Sequence, residues 1–208
     1  MRLQFGELNI TPRVASRLHE LDFTVPELED AINDHKSHCD GEPSVYCGTY
    51  GKYNDGSLCG LWIDLSSFDD YDEFINFCKA IHADEPDPEL DAQDWECLPQ
   101  GLDGDDLFIE EKWDLLQEYL ELCDRFDADA VNAYICCYDI YSLSGFEERY
   151  QGEFKSEEDF AEYIVNELYD LDRLMGNLSY YFDYEKYARE LFMSDYSIEN
   201  GYVFNNLA

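Results

Sequence analysis

Positive charge is scarce in this sequence. Lys and Arg number 13 against 49 Asp and Glu, so the formal net charge is -36 at pH 7 over 208 residues. A charge of that size repels nucleic acid and anionic membrane surfaces, so we expect cationic partners and no nucleic-acid ligand. No run of residues approaches the roughly 18 consecutive apolar positions of a membrane-spanning helix, so we expect no membrane partner either.

Secretory features are also scarce. The opening stretch MRLQFGELNITPR holds no apolar segment of the kind found in signal peptides. The eight cysteines include no CxxC pair, and cysteines without a secretory signal are typical of reduced intracellular thiols. We therefore expect a cytoplasmic protein.

Motifs for chemistry are missing. The phosphate-binding patterns GxxxxGK[ST] and GxGxxG and the nucleophile pattern GxSxG do not occur. DADAV and DGDDL lack the spacing and central glycine of a calcium-binding loop. HKSHC, at 35–39, offers no obvious fourth zinc ligand, and a polar helix end is the simpler interpretation. With 49 acids, no single carboxylate pair points to catalysis. We expect no enzyme, catalytic residue, cofactor, metal or small-molecule substrate.

Aromatic residues, in contrast, are plentiful. The chain has 17 Tyr, 13 Phe and 3 Trp, more than disordered acidic chains carry. The acids are interleaved with these aromatics, and the longest unbroken acidic run is Glu157–Asp159. We therefore expect a folded scaffold that carries acids on its surface.

Periodicity predicts an α+β fold with short strands and more helix than sheet. Thr11 as N-cap and Pro12 at the first helical position begin one short helix. TVPELEDAINDHKSH gives a second, and residues 1–43 look like a separate N-terminal piece. SVYCGTY and LCGLWIDL are predicted to form a hairpin around a tight turn at Asn54–Gly56.

Five further helices are expected downstream. The first, in SSFDDYDEFINFCKAIHA, has Ser67 as N-cap and Asp70 three residues later. The others are DLFIEEKWDLLQEYLELCDRF, DADAVNAYICCYDIYSL, SEEDFAEYIVNEL with Ser156 as N-cap, and DYEKYARELF. DEPDPEL and QDWECLPQGLDGDD are predicted to be loop and turn, and GYVFNN a strand. Each of these five helices has an expected buried face. In the order of the helices, the faces are Phe74, Phe77, Cys78 and Ile81; Ile109, Trp113, Leu116, Leu120 and Cys123; Val131, Tyr134, Ile135 and Tyr138; Phe160, Tyr163, Ile164 and Leu168; and Tyr187 and Leu191.

The negative charge can be considered as a surface rather than as a site. Duplex DNA carries one charge per roughly 1.7 Å, so a chain at -36 could match on the order of 60 Å of duplex, or about 18 base pairs. Composition alone leaves two other hypotheses open. One is an acidic regulatory module that binds other basic DNA-binding proteins, and the other is an acidic enzyme from a high-salt host.

Several motifs bear on these hypotheses. They are VYCGTYGKYN, GLWIDL, HADEPDPELDAQDWE, YQGEFKSEEDFAEYIVNE, YFDYEKYARELFMSDY and GYVF. They lie in order over residues 44–204, nearly four-fifths of the chain. In these motifs the sequence resembles the ArdA-type antirestriction proteins.

The resemblance implies a fold and a function. Family members are homodimers that look like bent B-form DNA and occupy the DNA-binding groove of type I restriction-modification enzymes, at the methyltransferase and specificity core. They are encoded on plasmids, transposons and phages, and they protect incoming mobile DNA. The implied architecture is an elongated row of three small modules: a hairpin-and-helix module at 44–104, a helical one at 105–146 and an α+β one at 147–208. Residues 1–43 would be a short helical extension.

Two sets of residues follow as candidates. The resemblance places an antirestriction motif, associated with the dimer contact, near LCDRFDADAVNAYICC, where the candidates are Phe126, Val131, Tyr134, Ile135 and Tyr138. Between Asp64 and Asp114 the chain holds 18 acids against Lys79 and Lys112 alone, and Trp95 is the expected anchor of this region to the core. The predicted DNA-mimic surface is Asp69, Asp70, Asp72, Glu73, Asp84, Glu85, Asp87, Glu89, Asp91, Asp94, Glu96, Asp103, Asp105, Asp106, Glu110, Glu111, Asp114, Glu118, Glu121 and Asp124.

Overall fold

The structure is a computed structural model that describes residues 10–36 and 41–208. The chain divides into two compact units, Met1–Leu120 (unit 1) and Glu121–Ala208 (unit 2). Two candidate zinc ligands of the HKSHC motif, His38 and Cys39, lie outside the described residues. The expected α+β class is confirmed, because helices in both units accompany two small sheets.

Unit 1 is built around one antiparallel sheet with strand order β2-β1-β3. Its elements are α1 (Pro12–Glu20), α2 (Val25–His35), β1 (Ser44–Thr49), α3 (Tyr50–Asn54), β2 (Leu61–Asp64), α4 (Tyr71–Ile81), β3 (Leu90–Glu96) and α5 (Glu110–Arg125). Helix α5 contributes residues to both units. Short 3-10 turns lie at Leu65–Ser67 and Asp105–Phe108.

The first two helices begin where their capping residues predict. Thr11 accepts a hydrogen bond from the backbone N–H of Val14 at 3.2 Å and begins α1, with Pro12 at its first position. Thr24 and Glu27 form a reciprocal capping box at the start of α2. Leu18 and Leu28 are fully buried within the unit.

The predicted hairpin is confirmed, but its connection differs. β1 and β2 pair antiparallel with Val45 opposite Ile63. The connection is not a tight turn alone, because Tyr50–Asn54 forms the short helix α3, capped by Thr49. Gly56 then takes a φ of +80°, a conformation that glycine adopts without strain.

Helix α4 begins later than predicted. Asp70, not Ser67, is its N-cap and accepts from the N–H of Glu73 at 2.8 Å. Ser67 instead lies in a 3-10 turn and donates to the carbonyl oxygen of Asp64 at 2.6 Å. The reason is Phe68, whose ring is buried against Phe74 and Phe77, so the chain stays extended there before the helix starts.

The prediction of loop in DEPDPEL and of turn in QDWECLPQGLDGDD is wrong at residue 90 and at residues 93–96. Leu90–Glu96 is strand β3, which pairs antiparallel with β1. Its backbone completes the sheet while only Ala92 of its side chains is buried. An edge strand that buries so little has no apolar alternation for sequence reasoning to detect.

The core of unit 1 is aromatic. The α4 face is buried as predicted, and the ring of Phe74 stacks on Trp113 at 4.5 Å between centroids. On α5 the prediction is partly wrong: Ile109 is 47% exposed, because it precedes the first helical residue. Tyr119 and Leu122 are buried instead, which widens the apolar face beyond the predicted stripe.

Unit 2 contains a second antiparallel sheet, of order β4-β6-β5. Its further elements are α6 (Ala128–Tyr138), α7 (Phe146–Arg149), β4 (Tyr150–Glu153), α8 (Glu157–Leu168), α9 (Leu171–Met175), α10 (Tyr184–Leu191), β5 (Tyr196–Glu199) and β6 (Tyr202–Asn205). Turns of 3-10 type lie at Ile140–Gly145 and Gly176–Tyr181. The closing strand is confirmed as β6, whereas β4 and β5 were missed.

The centre of unit 2 is a ring cluster. Tyr134 lies 5.4 Å from both Phe146 and Phe204, measured between centroids.

Ser156 caps α8 as predicted, accepting from Asp159 N at 3.1 Å.

The predicted buried faces of α8 and α10 need correction. On α8, Phe160 is buried as predicted, but Tyr163 and Leu168 are exposed and Ile164 is half-buried. Ala161 and Val165 are buried instead, so the buried face of α8 differs from the predicted face. On α10 the fully buried residue is Ala188, with Tyr187 and Leu191 half-buried.

Candidate functional site

The predicted acids lie mostly at the surface of their units. Asp94 and Glu96 are exposed on β3, and so is Asp72 on α4. The half-buried members of the set are Glu85, Asp91, Asp106 and Glu118. On α5 the remaining members, Glu110, Glu111, Asp114, Glu121 and Asp124, are exposed.

Some of these acids have a local structural role. Asp70 caps α4, and Glu73 accepts from the N–H of Asp69 at 3.0 Å. Carboxylates in the first turn also interact favourably with the positive end of the helix dipole. The acids at the start of α4 therefore stabilise the helix that carries them.

A second acidic cluster surrounds the 3-10 turn before α5. Asp103 Oδ1 accepts from the N–H groups of Asp105 at 3.1 Å and Asp106 at 3.2 Å. Asp106 also lies 3.7 Å from the ammonium of Lys112. Burial raises the pKa of Asp91, and the nearby charge of Asp105 raises it further. A carboxyl whose pKa rises through a like charge reports a local excess of negative charge.

Lys52 organises the most distinctive network of unit 1. Its ammonium contacts His82 Nδ1 at 2.8 Å, Asp84 Oδ1 at 2.9 Å and Glu85 Oε1 at 3.7 Å. Thr49 donates to Glu85 Oε1 at 2.5 Å. Lys52 is 13% exposed, so these contacts are partly shielded from water. Sequence reasoning missed this pairing, because Lys52 is thirty residues from His82 and Asp84 belongs to a stretch without any cation.

The network fixes the tautomer of a buried histidine. Because the ammonium of Lys52 donates to Nδ1 of His82, the other ring nitrogen carries the proton and donates to the carbonyl oxygen of Cys47 at 3.2 Å. The motif segments KYN and HADE, which carry much of the resemblance to the antirestriction proteins, thus meet at one place. Their shared chemistry holds β1 and α3 to the end of α4.

Cys47, Cys78 and His82 together look like the parts of a nucleophilic site. A hydrogen bond from Cys78 lowers the pKa of the Cys47 thiol, while burial raises the pKa of Cys78. All three residues are fully buried, however, so a substrate in solution cannot reach either sulfur. Their arrangement belongs to the core of unit 1.

Trp95 does not anchor the acidic stretch in the way expected. Its side chain is 42% exposed on the edge strand β3. A Cβ placed on Gly104 would lie 2.5 Å from the Trp95 ring, so the ring lies over this glycine at the surface. Trp95 therefore covers the turn that carries Asp103–Asp106, but it is not a core residue.

The candidate dimer residues lie inside unit 2. Val131, Tyr134 and Ile135 are buried, and Phe126 and Tyr138 are half-buried. Phe126 contacts Phe146 at 5.0 Å between centroids, and Tyr138 contacts Tyr134 at 4.8 Å. Their side chains build the core of the unit, and a role in a dimer contact stays a prediction.

The described residues bear on metal binding and on membrane insertion. Over residues 10–36 and 41–208, no group of three or more His, Cys, Asp or Glu is arranged to hold a metal ion. In the same described part of the chain, no helix is both long enough and apolar enough to cross a membrane.

Comparison with known proteins identifies the family. A family model, that of the antirestriction protein (ArdA) family, matches residues 45–204 of the sequence. Neither the curated proteins nor the solved structures gave a match. The matched region begins within β1, ends within β6 and includes the Lys52 network, while α1 and α2 precede it. Since the match spans well over half of the sequence, the chain belongs to the ArdA antirestriction protein family.

Proposed function

We propose that the chain inhibits type I restriction-modification enzymes by presenting carboxylates in place of the phosphates of DNA. The observation that carries the proposal is the exposure of acids on β3, α4 and α5 in a chain of net charge -36. A DNA-binding groove is lined by Lys and Arg that bind phosphates with release of counterions. The same groove attracts any rigid surface with a similar density of negative charge.

The proposed mechanism is competition and needs no catalysis. Many weak charge contacts raise the rate of association with a basic groove and hold the inhibitor there. While the groove is occupied, the enzyme cannot bind incoming mobile DNA. Binding energy is then distributed over many carboxylates, in contrast to a protein interface dominated by a few residues.

The acids divide into two groups under this proposal. Asp84 and Glu85 are paired with Lys52, and Asp106 with Lys112, so their charge is partly neutralised inside the protein. The exposed acids are the ones that face a partner, for example Asp72, Asp94 and Asp114. These exposed carboxylates are the better candidates for contact with the enzyme.

Displacement of DNA tests the proposal. A type I methyltransferase would be saturated with a fluorescent duplex that contains its recognition site, and the chain would be titrated in at low salt. We expect the anisotropy of the duplex to fall to that of free DNA as the chain binds. The control is a variant in which a dozen exposed acids between Asp69 and Asp114 are replaced by Asn or Gln, which should displace far less. A wild-type chain that displaces no DNA at low salt would contradict the proposal.

A further inference from the structure

Two helices of unit 1 lie outside the region that the family model matches. The match begins at residue 45, and α1 and α2, which we call the helix pair, come before it. Their apolar side chains are nevertheless covered, since Val14, Leu18, Leu28 and Ile32 are all buried. Burial of large apolar side chains requires packing partners. The helix pair is therefore packed into the fold of unit 1.

The end of the helix pair contacts the core of the matched region. The ring of His35 stacks on Phe68 at 4.1 Å and meets Phe77 edge-on at 5.0 Å, both measured between centroids. The next residue, Lys36, forms an antiparallel bridge with Ile63 of β2. These contacts hold α2 in one place relative to the first sheet.

Arg17 links the helix pair to residues 84–89, which we call the acidic loop. From the last turn of α1 its Nη1 donates to the carbonyl oxygen of Ala83, directly before the loop, at 2.8 Å. A hydrogen bond from an ionised donor is roughly twice as strong as one between neutral groups. Beside this bond lies a recess of about 150 Å³, lined by Leu21 at the end of α1 and by Pro86 of the loop. The acidic loop therefore lies directly against α1.

The acidic loop is also held from the other side. Lys52 contacts Asp84 and Glu85, and the backbone N–H of Tyr50 donates to the carbonyl oxygen of Glu89 at 2.9 Å. The two prolines of the loop restrict the backbone in between, because each ring fixes one dihedral angle. Together with the hydrogen bond from α1, these contacts fix the loop at both ends.

The fixed loop carries acids of the predicted surface. Asp87 and Glu89 are exposed, so they belong with the carboxylates that are proposed to contact the enzyme. A surface that is already ordered binds more tightly, because less conformational entropy is lost on association. An ordered acidic loop therefore favours the proposed inhibition.

Charge alone does not favour a cation at this place. Arg17 brings a positive charge close to carboxylates that are proposed to attract Lys and Arg of the enzyme, so it weakens the local negative field. Its hydrogen bond instead goes to a backbone oxygen and holds the loop. Charge and position thus predict opposite results when Arg17 is removed. Loss of the charge should strengthen binding, whereas loss of the hydrogen bond should weaken it.

We propose that Arg17 positions the acidic loop, so that the helix pair forms part of the inhibitory surface. The inference rests on the proposed function, because the loop matters here as a surface for a restriction enzyme. It goes beyond that function by giving a role to α1 and α2, which the family match does not cover.

Binding of a type I methyltransferase tests the proposal. Dissociation constants would be measured by displacement of duplex DNA for the full-length wild type and three variants. We expect Arg17→Met to weaken binding about threefold to tenfold, the effect of having to order one or two more side chains on association. Arg17→Lys keeps a charged donor and should restore the affinity. The matched control is Arg13→Met, which removes the same charge from an exposed position of α1 and should bind no more weakly than the wild type.

Hydrogen exchange of the free chain separates this proposal from the proposed inhibition. The N–H of Glu85, which donates to the carbonyl oxygen of His82 at 3.0 Å, should exchange faster in Arg17→Met than in the wild type or in Arg13→Met. Amides of β1 should exchange alike in all three, which shows that unit 1 stays folded. Unchanged exchange at Glu85 in Arg17→Met would overturn the positioning by Arg17. So would an Arg17→Met variant that binds the enzyme as tightly as the wild type, or more tightly. A wild type that displaces no DNA would instead refute the proposed inhibition itself.

Discussion

At the scale of single residues, the contacts of Lys52 determine which acids are available to bind a partner. The stretch HADEPDPELDAQDWE has no cation of its own, and sequence reasoning therefore treats all of its acids alike. In the fold the ammonium of Lys52 reaches Asp84 and Glu85, while Asp94 and Glu96 stay exposed. No periodicity indicates this difference, because it depends on where α3 places one side chain.

Replacement of Lys52 by Met should destabilise unit 1 by about 2 kcal/mol, because it leaves His82 and two carboxylates without their shared donor. Urea denaturation followed by tryptophan fluorescence measures this loss, since all three Trp lie in unit 1. Lys155→Met, at an exposed position in unit 2, is the matched control and should change the stability little. Equal stability of the two variants would show that the network is unimportant.

His35 should make the stability of the chain depend on pH. Its ring stacks on Phe68 at 4.1 Å between centroids, and burial lowers its pKa below the usual 6.5, against smaller opposing effects of Glu73, Asp34 and Asp64. The folded state therefore binds the proton less tightly than the unfolded state does. The stabilisation is fully present above about pH 6.5 and is lost as the pH falls towards the folded pKa.

The measurement is the free energy of unfolding between about pH 5 and pH 8. We expect a decline on the acid side that His35→Gln reduces, whereas His19→Gln, at an exposed position on α1, preserves it. An identical acid-side slope in the wild type and in His35→Gln would contradict this assignment.

At the scale of elements, a helix is predictable from the sequence wherever an N-cap residue directly precedes an apolar pattern of helical period. Thr11 and Ser156 were identified as N-caps from their place before a helical pattern. The prediction failed at Ser67, since the burial of Phe68 delays the helix to Asp70. It failed again at β3, whose polar side chains conceal a strand held by backbone pairing with β1.

Asp70 allows its capping role to be separated from its charge. Asp70→Ala should cost about 1 kcal/mol of stability, because the cap of α4 is lost. Asp70→Ser removes the same charge but keeps a good capping side chain, so its stability should stay close to that of the wild type. Thermal melts of both variants, with Asp69→Ala as a charge-matched control, measure the difference. If Asp70→Ser is as unstable as Asp70→Ala, the hydrogen bond to Glu73 is not what stabilises α4.

The composition of the whole molecule was more informative than any single motif. Net charge and aromatic content indicate a folded acidic surface. The ordered motifs indicate the family, and the family match at 45–204 confirms it. The exposure of Tyr163 and Leu168 was not predictable, because both satisfy a helical period yet face solvent. Only the packing of Ala161 and Val165 shows which side of α8 is covered.

A distributed surface should tolerate the loss of any one acid. Asp94→Lys is expected to change the inhibition of a type I enzyme by no more than a few-fold, because one exposed contact is worth about 1 kcal/mol or less. Neutralising a dozen exposed acids between Asp69 and Asp114 should weaken inhibition by orders of magnitude. Inhibition assays with folded variants, checked by circular dichroism, measure both effects. Complete loss of inhibition in Asp94→Lys would point to a specific site.

The salt dependence of binding tests the central claim most directly. The dissociation constant for a type I methyltransferase would be measured from low to high salt for the wild type and for the variant with a dozen neutralised acids. If carboxylates replace phosphates, the wild-type affinity falls steeply and linearly on logarithmic axes, and the variant gives a shallower slope. The chain itself should stay folded at low salt, unlike an enzyme adapted to high salt. An affinity that does not change with salt, or an equal slope for both proteins, would contradict the account.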